Sequence, residues 1–251
     1  MFELIILSAT QGITEFLPVS SSAHLILISK FLNFNNSSIT LDISLHLGSL
    51  LAIITCLRKD IFTFVKNKEM LLKLLISSVP TLIVGYLLVY FSLIDYLRNY
   101  KLIGWMTIIF GVLLYFSDLK KTSKTIKYDY SFKAAVYIGF FQILSLIPGV
   151  SRSGITITGS RLFNFNRVDA AKISFLMSIP ILIVISGYNF NSLLNKDSLE
   201  VSILNLNSII LSYFFSYITI KFFLNFLKKF NLTYFVVYRI FLGIIILYFS
   251  Y

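Results

Sequence analysis

The chain has 251 residues, of which 57% are hydrophobic and only 13% charged, an apolar share above the roughly 45–50% of soluble domains. Too few charges remain to cover a soluble protein of this length, which excludes that class and points to an all-α polytopic membrane protein, one integral membrane domain over 1–251. A net charge of +11 would suit nucleic acid, but the Lys and Arg residues lie in short connections between apolar spans, which excludes that partner and fits contacts to anionic membrane lipids.

In chain order, residues 2–17 are apolar but shorter than the roughly 20 residues of a crossing. They run into Pro18 and three serines, and 22–34 form a second short limb. Two short limbs meeting at a polar, proline-containing turn predict a re-entrant hairpin. Three spans follow at 41–57, 71–91 and 102–117, and then a polar, basic connection at 120–133, KKTSKTIKYDYSFK. After it the pattern restarts: a short limb at 134–147, a polar turn at 148–156, a short limb at 157–165, and spans at 170–188, 203–224 and 235–251.

The restart predicts an internal repeat, with 1–119 and 131–251 as its halves; Pro18 answers Pro148, Ser21 answers Ser151, and Ile43-Ser44-Leu45 answers Ile173-Ser174-Phe175. An odd number of crossings per half makes the second half inverted, so that the two hairpins enter from opposite faces. Arg58, Lys59, Lys66, Lys120, Lys121, Arg167 and Lys228 then share one face, while Lys30, Arg98, Lys101 and Lys196 fall on the other. By the positive-inside rule the richer face is cytoplasmic, and the termini and the mouth of the first hairpin face outward.

Ionisable groups at membrane depth are costly and therefore functional candidates; here they are Glu15, His24 and Arg152. Glu15 follows Gln11 by four residues, which sets both on one helix face and offers oxygen ligands for a hard cation such as Mg²⁺ or Ca²⁺. Ser20, Ser21 and Ser22 supply helix-capping hydroxyls and a candidate nucleophile, with His24 as its base or as an acid. His46, inside a span, reads as an interhelical hydrogen bond or as support behind the site. In the second turn, Arg152 between Ser151 and Ser153, with Thr156 beyond, is a fork of donors suited to phosphate oxygens. Gly149 and Gly154 allow close backbone approach to a ligand, and Arg161 and Arg167 read as headgroup anchors. Carboxylate, amide, hydroxyls, histidine and arginine within a bilayer describe phosphoryl chemistry on a lipid-linked substrate.

These two turns resemble the motifs of the undecaprenyl-diphosphate phosphatase family, also called bacitracin resistance proteins. The first motif is carried by Gln11, Glu15, Pro18 to Ser22 and His24, and the second by Pro148, Gly149, Ser151, Arg152, Ser153 and Thr156. The resemblance implies a bacterial inner-membrane enzyme that hydrolyses undecaprenyl diphosphate, depends on Mg²⁺ or Ca²⁺, and opens its site to the periplasmic side; it leaves room for a homodimer. It implies that Glu15 and Gln11 organise the metal, that Arg152 holds the diphosphate with Ser20, Ser22, Ser151, Ser153, Thr156 and Gly149 around it, and that the nucleophile is either Ser21, with His24 as its base or the leaving-group acid, or a metal-activated water. Gln11 stands where many relatives carry Glu. The alternative reading is a carrier of lipid-linked or free phosphate, for which Ser21 and His24 have no use.

Overall fold

The computed structural model describes residues 2–32, 39–97, 99–188 and 199–250. Among them the chain is helical apart from one isolated bridge between Lys124 and Phe165, as lipid requires of a backbone that must satisfy its own polar groups. The first hairpin is α1 (Phe2–Thr14) and α2 (Ser21–Leu32), and it leads into α3 (Ile39–Cys56), α4 (Arg58–Lys66), α5 (Lys68–Tyr90), the short α6 (Ile94–Leu97) and α7 (Tyr100–Asp118). The basic connection holds a single turn, α8 (Ile126–Asp129). The second hairpin is α9 (Phe132–Ile143) with a 3-10 turn at Leu144–Leu146, then α10 (Arg152–Leu162). Last come α11 (Arg167–Tyr188), α12 (Leu199–Phe226) and α13 (Thr233–Tyr248). Polar side chains set several starts. Asn67 accepts the backbone N–H groups of Glu69 and Met70 ahead of α5, and Ser131 accepts that of Ala134 ahead of α9.

All six expected spans are helices, but four of them (Lys68–Tyr90, Tyr100–Asp118, Arg167–Gly187 and Ile203–Phe226) are long and apolar enough to cross on their own. Thr40–Cys56 and Arg58–Lys66 make a fifth only if their 78° bend is counted within one span. With 16 residues, α13 rises about 24 Å at 1.5 Å per residue, short of a core roughly 30 Å thick.

Small residues let the helices approach closely. A side chain on Gly48 of α3 would meet the Ile209 carbonyl of α12 at 2.4 Å, and Ser49 lies 3.2 Å from Ser212 and 3.1 Å from Ser216 through their hydroxyls. Gly104 of α7 and Gly243 of α13 face each other in the same way. Across the proposed halves, α12 lies on α1 and α5 on α9, while α3 meets α11 and α7 meets α13.

One end of the bundle is tied by Asp118. Its Oδ1 accepts from Arg167 Nε at 2.7 Å and lies 3.3 Å from Arg161 Nε, and its Oδ2 accepts the backbone N–H of Leu232 at 2.9 Å. Arg161 is not the headgroup anchor expected of it. It is 3% exposed and also donates to the carbonyls of Asp118, Lys120 and Phe165, so it ties the basic connection to α10. Arg167 keeps the more exposed position. Of the outer-face markers, Arg98, Lys196 and the side chain of Lys30 lie outside the described residues.

Candidate active site

The two hairpin turns come together. Phe16 is buried with its ring edge-on to Phe175 of α11 at 5.3 Å, and beside it the Ser153 hydroxyl donates to the Leu17 carbonyl at 2.7 Å. Arg152 opens α10 and reaches across, its Nη2 donating to Glu15 Oε1 at 2.8 Å and its Nη1 to the Ser174 carbonyl of α11 at 3.2 Å. The side chains of Arg152 and Glu15 are only 12% and 8% exposed, so this is a buried ion pair in which each group is the other's counter-charge.

The backbone of the two turns matches with one residue of offset. Ser20 immediately precedes α2 and Ser151 immediately precedes α10, and both take the left-handed conformation, at φ 74° and 70°. The structural counterpart of Ser151 is therefore Ser20 rather than Ser21. Val19-Ser20-Ser21-Ser22-Ala23 then parallels Val150-Ser151-Arg152-Ser153-Gly154, with Gly149 as the inserted residue. Ser21 is the first residue of α2, as Arg152 is of α10.

Glu15's second oxygen is also occupied. Gln11 Nε2 donates to Glu15 Oε2 at 3.0 Å and to His46 Nδ1 at 3.1 Å. The reverse amide orientation would set an oxygen against the carboxylate, so the nitrogen faces both acceptors and His46 carries its proton on Nε2. The histidine read as an interhelical hydrogen bond makes one, and it does so to the residue supporting Glu15.

His24 is held at both ring nitrogens. Its Nδ1 lies 2.7 Å from the Ser20 carbonyl, which can only accept, so Nδ1 carries the proton. Nε2 is left as the basic nitrogen, and the hydroxyl of Tyr238 on α13 donates to it at 2.6 Å. Ser21 heads the same helix, but no hydrogen bond joins it to His24 in this state. The side chain of Ser22 lies outside the described ones.

The remaining predicted residues stand behind the site rather than at its surface. Ser151 caps α10 by accepting the Gly154 N–H, and its hydroxyl lies 3.2 Å from that of Ser153. Thr156 is fully buried and donates to the Ser174 hydroxyl at 2.7 Å, which steadies the segment that receives Arg152. Gly149 has φ 95°, and the close approach it permits is to α7, where an added carbon would meet the Ile103 carbonyl at 2.5 Å. Its own carbonyl accepts from Thr107 Oγ1 and from Nη2 of Arg239.

Beside the first turn runs an apolar groove of about 640 Å³ between α1 and α13, lined among others by Ile6, Ile13, Leu17, Val19, His24 and Tyr238. A polar pair joined across two hairpins, and an apolar trough that reaches His24 of the first, suit a ligand with an anionic head and a hydrocarbon body.

Comparison with known proteins agrees with this chemistry. The model of the family described as bacitracin resistance protein BacA matches residues 4–245. The chain belongs to that family. Among its relatives is the undecaprenyl-diphosphatase of Pelagibacter ubique (strain HTCC1062), 49% identical over 98% of this chain and 96% of the relative. Those of Campylobacter curvus (strain 525.92) and Aliivibrio salmonicida (strain LFI1238) are each 39% identical, over 98% and 96% of this chain and 97% and 95% of the relatives. Of the residues that the structure ties to the two turns, sequence reasoning names Glu15, His24 and Arg152 but misses Tyr238, Arg239 and Ser174, and it misses Asp118 at the end of the bundle. An arginine in the middle of α13's apolar run is the signal that would have found Arg239, since a charge there needs a reason.

Proposed function

We propose that this BacA-family chain hydrolyses the terminal anhydride bond of undecaprenyl diphosphate, yielding inorganic phosphate and the undecaprenyl phosphate carrier used in cell-wall synthesis. The carrying observation is the Glu15–Arg152 pair, which brings a guanidinium and a carboxylate from the two hairpins together; the apolar groove is lined by His24 and by Thr14 and Leu17, which flank Glu15 in sequence. That the relatives are undecaprenyl-diphosphatases supports this reading over carriage of the lipid.

On this reading the diphosphate takes over Arg152's donors, the planar fork suiting its oxygens, while the isoprenoid chain lies along the groove. His24, with its proton fixed on Nδ1, accepts the proton of the Ser21 hydroxyl at Nε2 as that oxygen attacks the terminal phosphorus. The P–O bond to the bridging oxygen breaks, and undecaprenyl phosphate leaves with the electron pair. Water then attacks the phosphoserine, restoring the hydroxyl and releasing phosphate. Tyr238 must yield Nε2 for this, an adjustment that suits catalytic hydrogen bonds that tighten only with substrate bound.

A divalent cation fits this donor set in one mode. Among the described residues no cluster of three or more His, Cys, Asp or Glu forms a metal-sized group, so these residues alone make no cage. Glu15 retains unused lone pairs, and Gln11 can turn its Oε1 toward them. Mg²⁺ is characteristically held by one or two carboxylates plus substrate phosphates and water. Bound there, the ion would neutralise phosphate charge.

The paired contacts of α1 with α12 and α5 with α9, and of α3 with α11 and α7 with α13, support an inverted two-fold relation between 1–119 and 131–251. The knot at Asp118 gathers the connections after α7, α10 and α12 at one end. Those connections carry Lys120, Lys121, Arg167 and Lys228, which supports a cytoplasmic assignment for that end and a periplasmic opening in the bacterial inner membrane.

The test is phosphate release from undecaprenyl diphosphate by the purified chain in detergent, with Glu15→Ala, His24→Ala, Arg152→Ala and Ser21→Ala alongside. Release by the wild type that is lost in all four variants is expected. No release by the wild type sinks the activity, whereas release undiminished in Ser21→Ala alone moves the attack to water.

A further inference from the structure

Tyr238 and Arg239 are neighbours on α13, and consecutive side chains on a helix point about 100° apart. Each therefore addresses a different hairpin. Tyr238 donates to His24 Nε2 at 2.6 Å, and the two rings lie nearly parallel with centroids 5.6 Å apart. Arg239 is completely buried. Its Nη2 donates to the carbonyls of Gly149 and Val150, at 3.0 and 2.9 Å, and its Nε donates to that of Thr107 at 3.2 Å. Its Nη1 has no hydrogen-bond partner and presses on the backbone of Gly154, where an added carbon would sit 2.7 Å away.

Among the described residues no carboxylate forms an ion pair with Arg239. A buried, unpaired cation is a costly way to join helices, and helix packing alone would be served as well by an apolar side chain. What Arg239 does is fix the two carbonyls just ahead of Ser151 and Arg152. What Tyr238 does is hold the His24 ring with its basic nitrogen directed at α13.

We propose that Tyr238 and Arg239 form one positioning element for the hydrolysis: α13 aligns His24 from the first hairpin and the Arg152 turn from the second, so that base and anion-binding fork stand in register. Arg239 acts through Arg152 and touches no reacting atom; Tyr238 acts through His24, holding the resting ring by Nε2 and giving that nitrogen up when the Ser21 hydroxyl approaches. The proposal rests on the activity set out above, and its test separates the two.

The full chain and its Tyr238→Phe and Arg239→Lys variants are purified in detergent, and kcat and KM for undecaprenyl diphosphate are measured per folded molecule together with the unfolding temperature. In parallel, ring ¹⁵N spectra are recorded without substrate. The chain has two histidines, so a His46→Gln control assigns His24. In Tyr238→Phe, kcat is expected to fall about 10- to 100-fold, in the range of a misaligned general base, with KM within about twofold. The unfolding temperature holds within about 2 °C, and the His24 Nε2 resonance shifts as its donor is lost. Arg239→Lys also lowers kcat, because an ammonium cannot span two carbonyls as a fork does. A kcat in Tyr238→Phe within twofold of wild type, a raised KM at unchanged kcat, or an activity loss matched by loss of folded protein overturns the proposal. A wild type that releases no phosphate while the ¹⁵N shift still responds removes the activity but leaves the Tyr238–His24 contact standing.

Discussion

Replacing Gly154 by alanine probes how closely α13 is fitted to the second turn. In an open helical position this change stabilises by up to about 1 kcal/mol, through propensity. At Gly154 the new methyl would meet Arg239 Nη1 at 2.7 Å and the Ser151 Cβ and Oγ at 3.2 Å, so the guanidinium has to withdraw. Withdrawal sacrifices its bonds to the Gly149 and Val150 carbonyls, and hydrogen bonds to charged groups contribute about 1.5–3 kcal/mol each. Two such bonds, less the propensity gain, leave a net destabilisation of about 2–5 kcal/mol. Gly187→Ala is the matched control, because nothing lies within 4 Å of a carbon added there. Thermal unfolding of both variants in one detergent, with phosphate release measured below the transition, should show Gly154→Ala strongly destabilised and slow, and Gly187→Ala unchanged or slightly raised. Equal unfolding temperatures would refute the argument that Gly154 is kept small by Arg239.

Arg152→Ala leaves Glu15 buried without its counter-charge, so about 3–5 kcal/mol of stability should go with the activity; a soluble, equally stable variant measured by thermal unfolding would show the pair to be dispensable. Gln11→Glu sets a second carboxylate where an amide now donates to Glu15 at 3.0 Å. The metal-free protein should therefore unfold at lower temperature and gain more from added Mg²⁺ than wild type; identical Mg²⁺ titrations of the two would count against any cation role for this pair. Asp118→Asn retains its shape but loses the charge shared by Arg161 and Arg167. Proteolysis within the 120–131 connection, followed by mass spectrometry, should become faster, and unaltered cleavage would deny the knot its role.

Much of the architecture can be read from residue pattern alone. Limbs too short to cross, ending at Pro18 and Pro148, announce broken helices, and both appear as α1–α2 and α9–α10. The joining of the turns is legible as complementary chemistry, because one carries a carboxylate and the other an arginine. What escapes is whatever depends on side-chain direction. Tyr238 looks like one more of 15 tyrosines, and only the fold shows that its hydroxyl meets His24. Arg161 looks like an anchor able to reach a headgroup and Arg239 goes unread, yet each is buried on carbonyls. Matching the two turns on their left-handed serines, Ser20 and Ser151, differs by one residue from matching them on Pro18 and Pro148, a distinction that lies in backbone conformation and not in residue pattern.

The buried pairing of Glu15 with Arg152 has a consequence for turnover. In the resting protein the guanidinium is already neutralised by a resident anion, so in the proposed binding mode every incoming phosphate competes with a carboxylate that never diffuses away. A diphosphate, with more charge and more oxygens than a monophosphate, displaces that carboxylate more readily. Once the anhydride is cleaved, Glu15 has the easier contest and closes back on Arg152. The same contact that assembles the site would then expel the product, and undecaprenyl phosphate should inhibit far more weakly than a non-hydrolysable diphosphate analogue, a difference that should collapse in Glu15→Gln.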